Sequence, residues 1–363
     1  YTGSEKFAPG KRFGFFPSFS VGWRISEEPF MKKIQEAWLT NLKVRYSYGE
    51  VGSDKGAPRF NYIQLFESGD NVTFGKNQNV SYGPLYTEGS LAYHDATWET
   101  AVKQNLGIEM TLFRKLTASI DLFKEDRTGI LMSRNSSAPW MGAGLPSVNI
   151  GKTKNHGLEL ELGWNDKVGK DFSYFAKFNF STSENRVVFK DDPNRLDDYL
   201  KAAGKPIGYQ NKYLVSGNFG SIDDIFNYTQ SGITNGSQNK LIPGDLIYLD
   251  YNGDGVINEK DMAPVANLNY PLTTYGLTLG VSYKGFGINA LFYAATGVYK
   301  EQIADYLWDF PKGNIKAQPD TQSRWTSDDA NVGGITRPSV HLVNDYHTVG
   351  STCLLYTSPC PRD

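Results

Sequence analysis

Over residues 273–295 apolar and small polar side chains alternate with period 2, the repeat that sends neighbouring residues to opposite faces of a β-strand. Tyr275, Leu277, Leu279, Val281 and Tyr283 share one face; Gly276, Thr278, Gly280 and Ser282 share the other. A tight turn at Lys284-Gly285 reverses the chain, and Phe286, Ile288, Ala290, Phe292 and Ala294 resume the apolar face on the return. An apolar stripe with aromatics at its ends, backed by polar side chains, suits a hairpin with lipid on one side and water on the other.

Three more such hairpins lie upstream. The first pairs residues 18–25 with 42–49: Phe19, Val21, Trp23 and Ile25 alternate with Ser18, Ser20, Gly22 and Arg24, and Leu42, Val44, Tyr46 and Tyr48 with Lys43, Arg45, Ser47 and Gly49. Residues 27–40 between them have some helical character. In the second, Trp98, Val102, Leu106, Ile108, Met110 and Leu112 oppose Glu99, Lys103, Asn105, Glu109 and Thr111; after a turn at Arg114-Lys115, Leu116, Ala118, Ile120 and Leu122 oppose Thr117, Ser119 and Asp121. The third sets Leu158, Leu160, Leu162 and Trp164 against Glu159, Glu161 and Gly163. It turns through 165–170 and returns with Phe172, Tyr174, Ala176, Phe178 and Phe180 against Ser173, Lys177 and Asn179. Long stretches at 52–97, 133–156, 188–271 and 300–350 separate the hairpins. Connections that long are uncommon in compact domains unless they carry function. Short turns on one rim and long loops on the other are the habit of outer-membrane barrels, which also close the sheet edges that a bilayer does not tolerate. The expected fold is all-β, an antiparallel transmembrane barrel. A soluble sandwich with one wet face shows the same alternation, so a soluble β-rich glycan-binding module stays open as the alternative. The aromatics at the stripe ends (Trp23, Tyr48, Trp98, Trp164, Tyr275, Tyr283) favour the membrane.

Composition agrees. Aromatics reach 14%, with 22 Tyr and 21 Phe, while mean hydropathy is −0.44 and no apolar run approaches the roughly 18 residues of a membrane helix. Net charge is −2, so no bulk attraction to nucleic acid is implied. Both cysteines, Cys353 and Cys360, lie in the last stretch, and the rest of the chain has no disulfide framework. Residues 351–363 resemble sequencing-adapter read-through and are expected to be a non-native tail beyond a barrel region spanning 1–350.

The sharpest chemical motif is residues 250–261. Oxygen donors fall at loop positions 1, 3, 5, 9 and 12 (Asp250, Asn252, Asp254, Asn258, Asp261), Gly255 is at position 6, and the Val256 carbonyl stands at position 7. This is the spacing of a Ca²⁺-wrapping loop, so calcium is the expected ion. Position 12 is Asp rather than the longer Glu, and the flanks read as extended. A turn-rich loop built on Asx-turns reads the same way. The polar strand faces carry Lys43, Arg45, Lys103, Glu109, Asp121, Glu159, Glu161 and Lys177, expected to line a lumen. Loop aromatics Phe60, Tyr62, Phe66, Tyr82, Tyr86, Tyr93 and Trp140 stack on ligand or pack the loops. His341 and His347 read as solvated loop residues. No nucleophile–base constellation appears, so no enzyme is expected.

Several stretches, in order along residues 1–352, are similar to the SusC/RagA family of TonB-dependent outer-membrane transporters. They are Phe15-Phe16-Pro17-Ser18-Phe19-Ser20-Val21-Gly22-Trp23-Arg24-Ile25-Ser26; Leu42-Lys43-Val44-Arg45-Tyr46-Ser47-Tyr48-Gly49 with Gly52; Gly157-Leu158-Glu159-Leu160; Pro243-Gly244-Asp245 leading into the 250–255 motif; and Tyr283-Lys284-Gly285-Phe286. The resemblance implies a barrel of about 22 strands around a plug, of which this chain holds about eight, with the plug, the TonB-contacting segment and the terminal strands outside it. It also implies the outer membrane of a Gram-negative, Bacteroidota-type cell, a SusD-like lipoprotein over the loops, and TonB-linked import of oligosaccharides or peptides. Eight strands cut from a wider barrel leave two unpaired edges, so the piece is not expected to fold alone.

Overall fold

The computed structural model describes residues 1–33, 38–74, 80–135, 144–193, 197–228, 230–231, 241–266, 270–301, 325 and 354–356. Trp140, His341 and His347 lie outside them. Two compact units emerge, one of Tyr1–Arg195, Ala202–Ile207 and Thr273–Ala295, the other of Leu196–Lys201, Gly208–Leu272 and Thr296–Asp363.

The first unit carries one eight-stranded sheet: β1 (Ser18–Arg24), β2 (Leu39–Ser53), β3 (Glu99–Leu112), β4 (Leu116–Met132), β5 (Val148–Val168), β6 (Phe172–Phe189), β7 (Thr273–Tyr283) and β8 (Phe286–Thr296). The strands neighbour one another in chain order, so the sheet is a pure meander with β1 and β8 at its edges. All eight expected strands are present and paired in hairpin order. Their register stacks the apolar positions into rows. Val44 lies opposite Ile108, Ile108 opposite Ile120, Ile120 opposite Leu160, Leu160 opposite Phe180, and Phe180 opposite Tyr275. The next row runs Tyr46, Leu106, Leu122, Leu158, Thr182, Thr273. Along β6 the stripe from Phe172 to Phe180 covers roughly 26 Å at about 3.3 Å per residue, close to the apolar band of a membrane barrel.

No second layer packs on these rows among the described residues. Leu106, Leu122, Leu279 and Val281 remain 39%, 49%, 40% and 46% exposed, although they sit mid-sheet. The buried cluster of the unit lies at the long-loop end, where Phe7, Ala57, Ala96 and Trp98 pack with Phe16, Tyr93 and Leu131. Trp98 therefore belongs to that cluster and not to an outward aromatic girdle. Phe7 and Phe16 lie against its indole at 5.2 and 5.4 Å between ring centroids.

Three expectations need correction. The strands outrun their apolar alternation: β4 continues to Met132, β5 begins at Val148, and β6 continues to Phe189. In those extensions charged and polar side chains replace the outward apolar rows (Lys124, Asp126, Lys152, Lys154, Glu184, Arg186), and apolar residues return toward the strand ends, where Leu131 packs against the Trp98 cluster. The turn expected at 165–170 shrinks, since β5 runs to Val168 and β6 starts at Phe172. The long connection at 52–97 contains a hairpin of its own, Phe66–Phe74 with Val80–Glu88. Within 27–40 the 3₁₀ turn Pro29–Met31 runs into helical residues 32–33, in keeping with the helical character expected there, and β2 begins at Leu39.

The second unit is built from short pairings. Gln210–Tyr213 pairs with Met262–Ala266, Val215–Asn218 with Leu246–Tyr248, and Gln230–Ser231 runs parallel to Val256–Ile257. Its core is Leu246, Tyr248 and Ile257, packed by Tyr213 and Tyr228. The Tyr228 hydroxyl donates to the Tyr248 carbonyl at 2.8 Å and accepts from the Tyr248 N–H at 3.0 Å. Burial pushes that phenol up to about 12. Leu354–Tyr356 pairs with Tyr299–Glu301.

Candidate functional site: the polar wall and the acidic loop

All eight candidate lumen residues fall on one face, opposite the apolar rows. Register places Lys43 beside Glu109, Glu109 beside Ser119 and Ser119 beside Glu161. The adjacent row runs Arg45, Gly107, Asp121, Glu159. Lys103 and Lys177 occupy the same parity nearer the two ends, opposite Glu125 and Gly163.

Arg45 is the hub. Its Nε donates to Glu109 Oε1 at 2.9 Å, and its Nη2 reaches over β3 to Asp121 Oδ2 on β4 at 2.8 Å. Gly107 makes that crossing possible: a Cβ there would stand 2.6 Å from Arg45 Nε, inside any real contact. Gly157 and Gly280 leave the same room beneath Phe123 and Phe175. Large side chains thus lie along the wall instead of projecting from it. Lys43 adds a longer pair to Glu109 at 3.8 Å. Lys177 sits 5.8 Å from the Phe175 ring centroid, where the ring quadrupole attracts its charge.

Glu159 and Glu161 differ from the rest. Both are exposed, and among the described residues neither carries an ion pair. Glu161, Glu109, Lys177, Asn41, Asn165 and Asn179 help line a shallow concavity of about 450 Å³ toward the short-turn end. Such a wall offers hydrogen bonds and both signs of charge to a polar occupant. Among the described residues of this wall no nucleophile is placed against a base.

Sequence reading named Glu99 and Lys103 on this face but missed Glu125 and Arg127, which join them into the second half of the network. At the long-loop end Arg127 bridges Glu99 and Glu125, with Glu125 Oε1 2.8 Å from Nη2, while Lys103 lies 3.2 Å from Glu125. The signal was available: Asp121, Phe123, Glu125 and Arg127 continue one parity along β4. It went unread because the opposite face there is no longer apolar.

In the second unit, residues 250–261 close on their own N–H groups. Asp250 Oδ1 accepts from Gly253 and Asp254 at 2.8 and 3.2 Å, and Oδ2 from Gly255 at 2.8 Å. Asp261, fully buried, accepts from Tyr251 and Asn252 on one oxygen and from Asn258 on the other. Gly253 and Gly255 adopt φ of +73° and +83°, which favours glycine. The Gly255 N–H, followed by those of Gly253 and Asp254, holds the Asp250 carboxyl below its ordinary 3.8. The flanks are extended as expected: Leu246–Tyr248 precedes the loop, and one 3₁₀ turn, Glu259–Asp261, follows. Among the described residues no three His, Cys, Asp or Glu side chains converge as a metal cluster. A cation here would depend on Asn252, Asn258 and the Val256 carbonyl beside the carboxylates.

Of the loop aromatics, Tyr93 packs against the Trp98 cluster, whereas Phe60, Phe66 and Tyr86 stay exposed.

An uncovered antiparallel meander, apolar on one face and charged on the other, is the wall of a transmembrane β-barrel. The family profile described as TonB dependent receptor-like, beta-barrel matches residues 1–344, and the chain belongs to that family. Over 350 residues it is 26% identical to TonB-dependent receptor P3 of Formosa agariphila, covering 93% of this chain and 33% of that protein. It is 25% identical to TonB-dependent receptor SusC of Bacteroides thetaiotaomicron over 295 residues, covering 79% and 28%. The chain thus spans about a third of the length of the curated relatives it matches. In fold it is similar to the RagAB peptide importer in its closed-closed state, with a TM-score of 0.65 and 18% identity over 98% of this chain and 36% of that one.

Proposed function

We propose that this chain forms part of the wall of a TonB-linked importer in a Gram-negative outer membrane, taking up a polar nutrient such as oligosaccharides or peptides. The supporting observation is the pairing of uncovered apolar rows with a polar face, charged on its central strands, on the opposite side of the same sheet. On this reading the apolar rows meet acyl chains and the polar face lines a plugged lumen. The loops at the opposite end from the short turns face outward, where a SusD-like lipoprotein covers them, and TonB acts through parts of the receptor outside this chain. Similarity to SusC and to a peptide importer supports the transport class and leaves both cargo types as candidates. Residues 351–363 belong to this proposal as an extraneous tail, which resequencing the gene would test.

The test is uptake. Cells carrying the whole receptor are given labelled oligosaccharides and labelled peptides, with and without a protonophore. Import of one class, abolished by the protonophore and by deletion of the receptor, is the expected result. A receptor that stays monodisperse in water without detergent would overturn the membrane reading and favour a soluble glycan-binding module.

We also propose that the 250–261 loop takes up Ca²⁺ through Asp250, Asn252, Asp254, Val256, Asn258 and Asp261. Asp250 Oδ1 and Asp261 Oδ1 each accept two internal N–H bonds, while Asp250 Oδ2, Asn252 Oδ1, Asp254 Oδ1, Asn258 Oδ1 and Asp261 Oδ2 accept one each and keep a lone pair for the ion. Terbium luminescence sensitised by Tyr251, displaced by Ca²⁺ and absent in Asp250→Ala, is expected; equal signal from the variant would refute the site.

A further inference from the structure

Across four neighbouring strands the outward side of the sheet changes chemistry in a single step. Leu106, Leu122, Leu158 and Thr182 are paired in one row, the last of the apolar band. The next row toward the long loops is Gln104, Lys124, His156 and Glu184, and the one after it Val102, Asp126, Lys154 and Arg186. Lys152 follows, opposite Thr128. Because side chains keep parity along a strand, every one of these residues points to the same side as the apolar rows.

The step is placed where a bilayer would put it. At about 3.3 Å per residue and a tilt of roughly 40°, each row rises about 5 Å, so the Lys124 row stands about 5 Å, the Lys154 row about 10 Å and Lys152 about 15 Å beyond the last apolar row. The polar layer of a bilayer is about 5–8 Å deep on each side, and the lysine stems bring the ammonium groups of Lys154 and Lys152 back toward it. Two of the four cations are already matched: Lys124 lies 2.7 Å from Asp126, and Arg186 pairs with Glu184. Lys152 and Lys154 are exposed and carry no ion pair among the described residues. Long lysine stems reach along apolar surface while the ammonium stays in the polar layer.

We propose that this outward belt, with Lys152 and Lys154 as its unmatched cations, binds the anionic phosphate headgroups of lipids in the leaflet at the long-loop end. The proposal rests on reading the apolar rows as lipid-facing. It goes beyond that reading by assigning a lipid chemistry to one height and one side of the wall. A sheet whose charges were merely solvated would have no reason to gather them in rows directly above the last apolar residues.

The experiment uses the whole receptor in detergent and measures lipid retained by native mass spectrometry. Three probes are offered: bis-phosphorylated lipid A, phosphatidylglycerol and zwitterionic phosphatidylcholine. Retention of the two anionic lipids over phosphatidylcholine, lost at high salt, is expected. Preference for lipid A over phosphatidylglycerol would identify the glycolipid as the source, and equal retention would make the bare phosphate charge sufficient. The Lys152→Gln/Lys154→Gln double variant should weaken retention about thirtyfold, with its heat-modifiable mobility unchanged, while Lys43→Gln/Lys177→Gln on the opposite face leaves it intact. Equal retention of all three lipids, or equal loss from the opposite-face pair, overturns the proposal. Should the outward pair fail to fold, the wild-type lipid preference and its salt dependence decide. A receptor that partitions into no lipid or detergent would instead sink the wall reading itself.

Discussion

Replacing Gly107 with alanine probes how the polar wall is made flat. The added Cβ would lie 2.6 Å from Arg45 Nε and 2.7 Å from Cζ, so the guanidinium has to move. It is not free to do so cheaply, because Glu109 and Asp121 hold it from two strands. Overpacking of this kind costs about 1–3 kcal/mol, and each half-exposed ion pair that is lost adds about 0.2–1 kcal/mol. Against this, alanine in a strand gains about 0.5–1 kcal/mol over glycine from reduced backbone entropy. The net expectation is a loss of about 1–2 kcal/mol. Gly276→Ala is the matched control, since its Cβ would meet only Asn179 at 3.7 Å, an ordinary contact; it should be neutral or slightly stabilising. Urea unfolding of the whole receptor from lipid vesicles, followed by tryptophan fluorescence, measures both. The decisive comparison is in an Arg45→Ala background, where Gly107→Ala should cost nothing. The same cost with and without the guanidinium would refute the idea that the glycine exists to seat Arg45.

Leu160→Lys places a charge mid-band on the outward face and should cost about 2–4 kcal/mol, whereas Glu161→Lys one residue on should cost little; folding yields into vesicles compare them directly. Lys284 is held at φ +47° before Gly285 at +89°, a turn that favours Asn-Gly, so Lys284→Asn should stabilise by about 0.5–1 kcal/mol in the same assay. The Asp250 carboxyl is held below 3.8 by the Gly255 N–H first. A depressed carboxylate contributes stability that is fully present above its ordinary value and is lost as pH falls through the lowered one. Amide exchange at Gly253 and Gly255, measured in the 250–261 loop, should therefore stay slow down to pH 3.8 and speed up below it; unchanged protection in that range would refute the role of the ionised form.

Where both faces of a strand differ, the chain alone was enough. Period-2 alternation named all eight strands, their hairpin pairing and the parity of the eight charged residues expected on the polar face. It did so because lipid or core on one side and water on the other write a binary pattern into the residues themselves. The pattern fell silent past Leu122, Leu158 and Phe180, where charged and polar residues replace the apolar rows and the strands persist through backbone pairing and ion pairs such as Arg127 with Glu125. Glu125 and Arg127 were missed for that reason. The hairpin Phe66–Phe74 with Val80–Glu88 was missed because the polar run 67–71 interrupts its apolar positions and its register shifts at Asn71. The spacing of 250–261 identified a turn rich in oxygen donors, but only coordinates show those oxygens taken up by Gly253, Gly255 and Asn258 N–H groups. Likewise, alternation is the same in a sandwich and a barrel. That Leu106, Leu122 and Leu279 are left uncovered, and that Gly107 lets Arg45 span three strands, depends on what lies across the sheet and beside it. Those are relations between distant residues, set by register and by the absence of an opposing layer, and no local run of sequence contains them.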